Sequence, residues 1–417
     1  MKAGFAKIDI TPPVGIELAG YGYYLKRLAK SVHDPLFARA LAFDSEGERL
    51  LITSCDLIGF GKELVDQIKS AISGQTGIPV DAIVIHCTHT HTGPATCAMR
   101  GCGVMDSDYV RALKANVLQA GLEALANLKE ADSIRYAESD SEGIGCNRTD
   151  SDVKPIDHTV RSLFIHRTNE SPIVLVNYAC HPVANGISDG ISADYPGRLA
   201  LALEEQGYDC AFLNGFSGDI NPVGERNHDA IEKHGRAIAS LVMNSADRAI
   251  SLSDTTVRFG TRPIHIPLDI PGSEELLNEL LHQKSIMESN PGDTFALQEV
   301  SWLVDALAII ENPALSDHVE SYLQVIGIGD VAFIAFPGET YTAFGLALRE
   351  KFPGLRLLTV NTANGLVGYI PTADEFDRRG YASHNAARIY NIFTFVKGFG
   401  EDVCSQAAVS IAEIFAE

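Results

Sequence analysis

The sequence predicts an α/β fold of the mixed α+β kind, with mixed β-sheets flanked by helices. Short apolar or β-branched segments alternate with amphipathic segments of helical period through most of the 417 residues, a pattern typical of mixed folds. Two of the apolar segments, ARALAFD and RLLITSCDL, flank the charged turn SEGE and predict a hairpin over residues 38–57. Part of the strand pairing is therefore expected to be antiparallel.

Helices are predicted where apolar residues recur with the spacing of one helical face. The clearest segments are residues 62–73, 108–128, 229–250 and 386–415. Residues 273–312 predict a helical pair interrupted near Pro291 and Gly292, and they lack the strand-then-turn pattern of the rest of the chain. Because no linker or repeat divides the sequence, we expect one domain over residues 1–417 that carries this pair as a helical insertion.

Charge and composition exclude several classes of protein. The formal net charge of -21 argues against nucleic acid or an anionic membrane surface as the main partner, because both need a basic face. The amino-terminal residues lack the apolar core of a secretory signal, and no later segment is long and uncharged enough to span a bilayer. The eight cysteines include no CxxC pair and indicate reduced thiols. We therefore expect a cytoplasmic protein with no stable membrane insertion.

Several apolar segments end in the same way, with a polar residue followed by glycine or proline. This is the sequence form of a site built at the carboxyl ends of strands, where loops on a rigid sheet carry the chemistry. Two histidines and a carboxylate from separate strands would supply the ligands of a catalytic zinc site that keeps an open position. The polar residues at these ends are His89 and His91 after AIVIHC, His181 after IVLVNYAC, Asp219 and Asn221 after CAFLNGFSG, Glu339 after VAFIAFPG, and Tyr369 after LLTVNTANGLVG.

The spacing of His89 and His91 favours a shared site, because residues two apart on a strand point to the same side. One histidine could then bind metal while the other acts as an acid, a base or a hydrogen-bond donor. The alternative is a polar strand end that bonds only to the backbone. For His181 the alternative is a core histidine. For Glu339 it is an acidic residue at the start of a helix, since TYTAFGLALREKF follows at once.

Eight motifs in order resemble the neutral (alkaline, non-lysosomal) ceramidase family, specifically its amino-terminal catalytic domain. They cover nearly the whole chain, and the resemblance implies the fold of that domain and the activity of a zinc amidase. The motifs are DITPPVGIELAGYG, HDPLFARALAF, THTHTGP, NRTD, NYACHP, SGDINP, IGDVAFIAFPGE and GYIPTADEFDRRGYASH.

The resemblance also implies roles for individual residues. Family members hold Zn²⁺ with two histidines, a glutamate and a tyrosine, which correspond here to His89, His181, Glu339 and Tyr369. Around the scissile amide they place a histidine, an arginine and a second tyrosine, which correspond to His91, Arg148 and Tyr381, with the family's twelve-residue interval between the two tyrosines kept. By this likeness His91 moves a proton or hydrogen-bonds the transition state, and Arg148 and Tyr381 polarise the carbonyl.

One motif departs from the family in a way that bears on mechanism. GDINPV carries Asn221 where the ceramidases have a serine, and asparagine cannot act as an acyl nucleophile. Hydrolysis by metal-activated water does not need that hydroxyl. We assign Asn221 to substrate binding, and Asp219 beside it to substrate binding or to orienting a ligand histidine.

The length of the chain also differs from that of family members, since they continue into an immunoglobulin-like domain and this sequence stops after its last helix. Together with the acidic balance, this makes ceramide a doubtful substrate. We expect a small-molecule amide, or with less preference an ester, to be hydrolysed. The alternatives are a metal-dependent esterase or lactonase that uses the same water, and a non-catalytic metal-binding relative.

Overall fold

Two mixed β-sheets, one of nine strands and one of five, form the framework of the computed structural model, which describes residues 1–416. Three short two-stranded sheets join loops at their ends. The strands are β1 Lys2–Asp9, β2 Ser31–Val32, β3 Phe37–Ser45, β4 Glu48–Cys55, β5 Ile83–Cys87, β6 Lys129–Asp140, β7 Gly145–Asn147, β8 Thr159–Arg167, β9 Ile173–Tyr178, β10 Gly190–Ile191, β11 Asp209–Asn214, β12 Ile220–Pro222, β13 Ile250–Ser251, β14 Val257–Asp269, β15 His318–Ile328, β16 Val331–Ala335, β17 Glu339–Thr340, β18 Arg356–Val360, β19 Tyr369–Ile370 and β20 Thr394–Phe395.

Helices flank these sheets, as the sequence predicts. Two turns of 3-10 helix, Val80–Ala82 and Ala246–Arg248, add to them. The α-helices are α1 Lys62–Thr76, α2 Ser107–Ala126, α3 Asp194–Glu204, α4 His228–Ser245, α5 Ser273–Ser289, α6 Thr294–Ile309, α7 Thr342–Lys351, α8 Ala373–Asp377, α9 Asn385–Ile389 and α10 Phe399–Ile414.

The helix predicted over residues 386–415 is wrong in its first half. α9 ends at Ile389, and the chain then forms the short strand β20, which pairs with the end of β14. Asn391 and Gly398 adopt positive φ angles of 57° and 90°, which an α-helix cannot contain. The apolar spacing persists through this break because both pieces bury their apolar side chains against the same five-stranded sheet.

The order of the nine-stranded sheet is β11-β9-β8-β6-β1-β3-β4-β5, with β13 also paired to β6. β3 and β4 form the antiparallel hairpin expected over residues 38–57. The order of the five-stranded sheet is β18-β16-β15-β14-β20. β4 and β5, β9 and β11, and β16 and β18 pair in parallel, so both sheets are mixed as predicted.

The carboxyl ends of β5, β11 and β18 are tied together by hydrogen bonds. The backbone N–H of Asn214 at the end of β11 donates to Nε2 of His86 in β5 at 3.1 Å. The N–H of Asn361, just after β18, donates to the carbonyl of Asn214 at 2.8 Å. These bonds bring the loops that follow the strands of both sheets to one place.

The two sheets share one hydrophobic core. Phe333 and Leu358 of the five-stranded sheet lie in the same buried cluster as Leu51 and Ile83 of the nine-stranded sheet. A polar loop between the sheets therefore has rigid, buried strands on both sides, which restricts the positions that its side chains can take.

The helical pair predicted near residues 273–312 is confirmed. α5 and α6 lie between β14 and β15 and pack on each other through Leu276, Leu280 and Leu303. None of the helices in residues 1–416 is long and apolar enough to cross a bilayer.

Candidate metal centre and active site

The two histidines of CTHTHTGPA lie in a turn and not on a strand, which corrects the geometry expected from the sequence. β5 ends at Cys87, and His89 adopts a positive φ of 76°, so the chain turns at this residue. The N–H of His89 donates to the carbonyl of Leu57 at 2.8 Å and holds the turn. The two rings nevertheless face the same space, with centroids 4.9 Å apart.

His89, His181 and Glu339 converge on one point. Nε2 of His89 lies 3.1 Å from Oε2 of Glu339, and Nε2 of His181 lies 2.9 Å from the same oxygen. All three side chains are buried. They follow β5, β9 and β16, so their meeting depends on the way in which the two sheets are joined.

The hydrogen bonds on the far side of each ring define which nitrogen faces the carboxylate. Nδ1 of His89 lies 2.6 Å from the carbonyl of Ile58, and Nδ1 of His181 lies 2.6 Å from the carbonyl of Ser217. A carbonyl only accepts, so both Nδ1 atoms carry the hydrogen and the Nε2 atoms of neutral rings present lone pairs to Glu339.

The charge states of His181 and Glu339 are suited to binding a cation. Burial, and then the charge of Arg148, lower the pKa of His181 to about 4, so its ring is neutral near pH 7. Burial alone would raise the pKa of Glu339, but positive charge and donated hydrogen bonds at the positions of the two histidines hold that pKa well below its usual value, so the carboxylate is ionised. Nε2 of His89 has no hydrogen-bond partner among the described residues although the carboxylate is within reach. Lone pairs that meet in a buried space need a positive ion between them.

The strand pairing places Tyr369 beside Glu339. β17 and β19 are parallel, and Glu339 and Tyr369 are directly paired. Nη2 of Arg148 donates to the Tyr369 hydroxyl at 2.8 Å and to the carbonyl of Gly218 at 2.8 Å. Burial raises the pKa of Tyr369 well above its usual value although Arg148 lies beside it, so this phenol would ionise at neutral pH only as the ligand of a metal ion.

Arg148 keeps its charge in this environment. Burial by itself would lower its pKa, but Tyr369 and Glu339 raise it above the usual value. The guanidinium is therefore a fixed positive group in the lining of the cavity, where it can stabilise an oxyanion.

The ring of His91 makes no hydrogen bond within the described residues. One nitrogen from each of His89, His91 and His181 lies within 4.8 Å of the others, so this group could hold a metal ion. Gly20 covers the ring, and a Cβ at Gly20 would lie 2.6 Å from Cγ of His91. Burial, and then the other two histidines, lower the pKa of His91 well below its usual value, so the ring is neutral near pH 7.

A cavity of about 210 Å³ opens in front of these groups. Tyr381 lies at its mouth with 45% of its surface exposed and its ring 5.7 Å from that of Tyr369. His181 lies behind the wall and is completely buried. The predicted site residues that line the cavity are His89, His91, Arg148, Asn221, Glu339, Tyr369 and Tyr381.

Asn221 and Asp219 are placed differently. Asn221 lines the cavity, and its Oδ1 has no partner among the residues of the described chain. Asp219 lies outside the lining, and both its oxygens are used: Oδ1 accepts from the N–H of Thr342 at 2.8 Å and Oδ2 from Nδ2 of Asn147 at 2.8 Å. Through these bonds Asp219 joins the loop after β11 to the start of α7.

Sequence reasoning missed several residues of the site. The hydroxyl of Tyr390 donates to Oε1 of Glu339, the oxygen that the histidines leave free. Tyr21 and Arg226 also line the cavity. Tyr390 was hidden because RIYNIF continues an apolar helical spacing, and neither Tyr21 nor Arg226 stands in a polar strand end.

No protein-family model matches this chain, and no curated protein matches it in sequence. Solved structures do match it in three dimensions. The neutral ceramidase from Pseudomonas aeruginosa superposes with a TM-score of 0.78 over 99% of this chain and 74% of its own chain, at 16% sequence identity. The chain has the neutral ceramidase fold. A structure of a ceramidase complexed with C2 gives a TM-score of 0.77, also at 16% identity, and covers 99% of this chain and 75% of that one.

This match confirms the fold that the motif resemblance implies. At 16% identity the likeness establishes the path of the chain. What the site of this protein can do rests on its own residues, because one fold supports several chemistries.

Proposed function

We propose that this protein is a zinc-dependent hydrolase that cleaves an amide bond in a small polar molecule. The observation that carries the proposal is the convergence of two imidazole nitrogens on one buried oxygen of Glu339, at 3.1 and 2.9 Å. Histidine nitrogens and a carboxylate oxygen are the ligands of catalytic zinc sites. Tyr369, paired with Glu339, would add the fourth ligand.

The surrounding residues supply what amide hydrolysis needs besides the metal. A bound Zn²⁺ would make water more acidic and polarise the carbonyl of the substrate. Arg148 is charged and faces the cavity, so it would donate to the oxygen of the carbonyl as negative charge develops there. Tyr381 at the mouth would donate a second hydrogen bond.

His91 would move the proton. Its ring is neutral and both nitrogens are unpartnered among the residues described, so it can take a proton from the attacking water and pass it to the departing amine. The unpartnered Oδ1 of Asn221 would accept a hydrogen bond from an N–H or O–H of the substrate.

The size and lining of the cavity support a small polar substrate. Its volume of about 210 Å³ is below the range of about 300–1,000 Å³ that holds a drug-sized ligand. Two long hydrocarbon chains need an extended apolar groove, whereas this lining sets hydroxyl and guanidinium groups beside a few apolar side chains. The polar lining residues include Tyr21, Tyr23, Arg148, Arg226, Tyr369, Tyr381 and Tyr390.

The metal is tested by plasma mass spectrometry on purified protein. We expect about one tightly held zinc per chain, lost in His89→Ala and His181→Ala and retained in the control His282→Ala, whose histidine is exposed on α5. Removal of the zinc with a chelator should abolish turnover, and added Zn²⁺ should restore it. A wild-type protein that holds far less than one equivalent after zinc supplementation would contradict the proposal.

The reaction is tested with a panel of short N-acyl amino acids and N-acyl amino alcohols, the matched esters, and a long-chain ceramide in detergent. We expect turnover of a short amide with a higher kcat/KM than its ester. Preference for the esters would reassign the protein as an esterase, and preference for ceramide would overturn the small polar substrate. Zinc binding without turnover of any member would favour a non-catalytic role.

A further inference from the structure

A second group of metal-binding side chains lies on the surface, away from the cavity. His265, His318 and Glu320 each offer one ligand atom within 4.8 Å of the others. The rings of the two histidines have centroids 4.9 Å apart, and Nε2 of His318 lies 3.7 Å from Oε1 of Glu320. His265 and Glu320 are exposed and His318 is half-buried.

The strand register explains why these three side chains meet. β14 and β15 pair through eleven residue pairs, in which His265 lies directly opposite Glu320. His318 is two residues before Glu320 on β15, so it points to the same face. Ile264 and Ile266, on either side of His265, are buried on the opposite face and hold the strand in this register. The group is therefore built on rigid sheet.

Asp317 fixes the orientation of one of the histidines. Its Oδ1 accepts from Nδ1 of His318 at 2.7 Å. Since a carboxylate only accepts, Nδ1 carries the hydrogen and Nε2 of the neutral ring directs its lone pair toward Glu320. A carboxylate behind the histidine is the arrangement that orients ligand histidines in metal sites.

We propose that His265, His318 and Glu320 form a second cation site for a zinc-type divalent transition-metal ion, with Asp317 as the residue that positions His318. Two imidazole nitrogens and one carboxylate oxygen favour Zn²⁺, Co²⁺ or Ni²⁺ over Mg²⁺ and Ca²⁺, which prefer oxygen ligands alone. The remaining coordination positions face solvent because the group is exposed.

The position of the site gives it a structural consequence. β14 ends at Asp269 and leads into α5, and β15 begins at His318 after α6. An ion held by His265 and His318 therefore joins the two strands at the base of the α5–α6 insertion. Phe295 of α6 packs against Tyr23 of the cavity wall, with ring centroids 5.3 Å apart. The ion would restrain an element that supports the active site.

The site is tested by titrating Zn²⁺ into the purified protein by calorimetry. Wild type and the control His282→Asn should bind one more equivalent of Zn²⁺ than His265→Asn and His318→Asn. Without added zinc, all four proteins should have similar melting temperatures because the changed residues lie at the surface. Equal stoichiometry in all four proteins would overturn the site. His89→Ala should lose the zinc equivalent of the buried site and keep that of the surface site. A failure of the proposed function can therefore be told from a failure of the surface site.

Two further measurements examine how the site works. Asp317→Asn should weaken the second binding event about 10–100-fold, and an unchanged affinity would overturn its positioning role. Zn²⁺ should slow hydrogen exchange in residues 273–309 of the wild type and not of His265→Asn. Equal slowing in both would overturn the link to the insertion.

Discussion

Glu339 is the residue on which the buried site depends. Oε2 faces the two histidines, and Oε1 accepts the hydroxyl hydrogen of Tyr390, so both oxygens are engaged. An ionised carboxylate in a buried place is stable only when its oxygens are satisfied in this way. Tyr390 thus fixes the direction in which Oε2 points, although it contributes no ligand atom to the convergence point.

The role of Tyr390 predicts a defect in metal affinity. Tyr390→Phe removes the hydroxyl and keeps the ring, so Glu339 becomes free to rotate. We expect the dissociation constant for Zn²⁺ to rise about 10–100-fold, measured by competition with a chromophoric chelator. Tyr381→Phe is the matched control, since it should lower kcat and leave zinc affinity as it is. Equal affinity of Tyr390→Phe and wild type would contradict the role.

His89 and His91 should differ in what their loss removes. His89 lies against Glu339 and His91 has both nitrogens free within the described structure. We expect His89→Ala to lose zinc and activity together, and His91→Ala to keep zinc while kcat falls about 10²–10⁴-fold. The measurement is zinc content beside kcat for each variant. Loss of zinc from His91→Ala would make His91 a ligand in place of a proton carrier.

At the scale of elements, the site is made of short loops that leave five buried strands. Hydrogen bonds tie the ends of these strands together, as at Asn214, where the backbone bonds both His86 and Asn361. The α5–α6 insertion differs from these loops because its side chains contact residues next to the cavity. Arg388, just before the cavity residues Ile389 and Tyr390, bonds Glu279 of α5 and Glu299 of α6.

This contact predicts how the insertion is held. Glu299 is 2% exposed, and Arg388 also covers the ring of Trp302 at 4.7 Å. Arg388→Met leaves Glu299 buried without its cation, which costs about 3–5 kcal/mol in comparable pairs. We expect faster hydrogen exchange across residues 273–309 by mass spectrometry. Arg111→Met, which breaks an exposed ion pair on α2, is the control and should leave hydrogen exchange in the insertion unchanged. Unchanged exchange in Arg388→Met would show that other contacts hold the insertion.

At the scale of the whole molecule, one buried carboxyl couples stability to pH. Asp194 is 1% exposed and accepts the backbone N–H groups of Ala184, Asn185 and Tyr195. Burial raises its pKa from 3.8 to about 6. Between these values the folded state binds more protons than the unfolded state, so the contribution to stability falls as pH rises and is constant above about pH 6.

The size of this effect is about 3 kcal/mol, from a shift of roughly two units. Asp194→Asn keeps an oxygen acceptor and removes the titration. We expect the free energy of unfolding of wild type minus that of the variant to fall by about 2 kcal/mol between pH 4 and pH 6, measured by urea unfolding. Asp229→Asn, at an exposed carboxyl, is the control. A difference that does not change with pH would contradict the assignment.

The sequence determined the elements and the residue types of the site, because both are local properties. Apolar runs of strand length predicted the five strands, and the polar residues after them predicted His89, His181 and Glu339. The turn at His89 was not predictable, since its positive φ depends on a bond to Leu57 across the loop. The break after α9 was hidden for a similar reason, because residues on both sides of it bury apolar side chains.

The tertiary structure decided which of these polar residues meet. His181 and Glu339 are 158 positions apart, and Tyr390 and Glu339 are 51 apart, so no local pattern reports their contacts. Asp219 and Asn221 look equivalent in GDINPV, yet packing against Thr342 uses the carboxylate and leaves the amide facing the cavity. The sequence by itself therefore determined which groups are available for chemistry. Only the packing of two sheets decided their neighbours, because burial, charge and hydrogen bonding depend on contacts between distant parts of the chain.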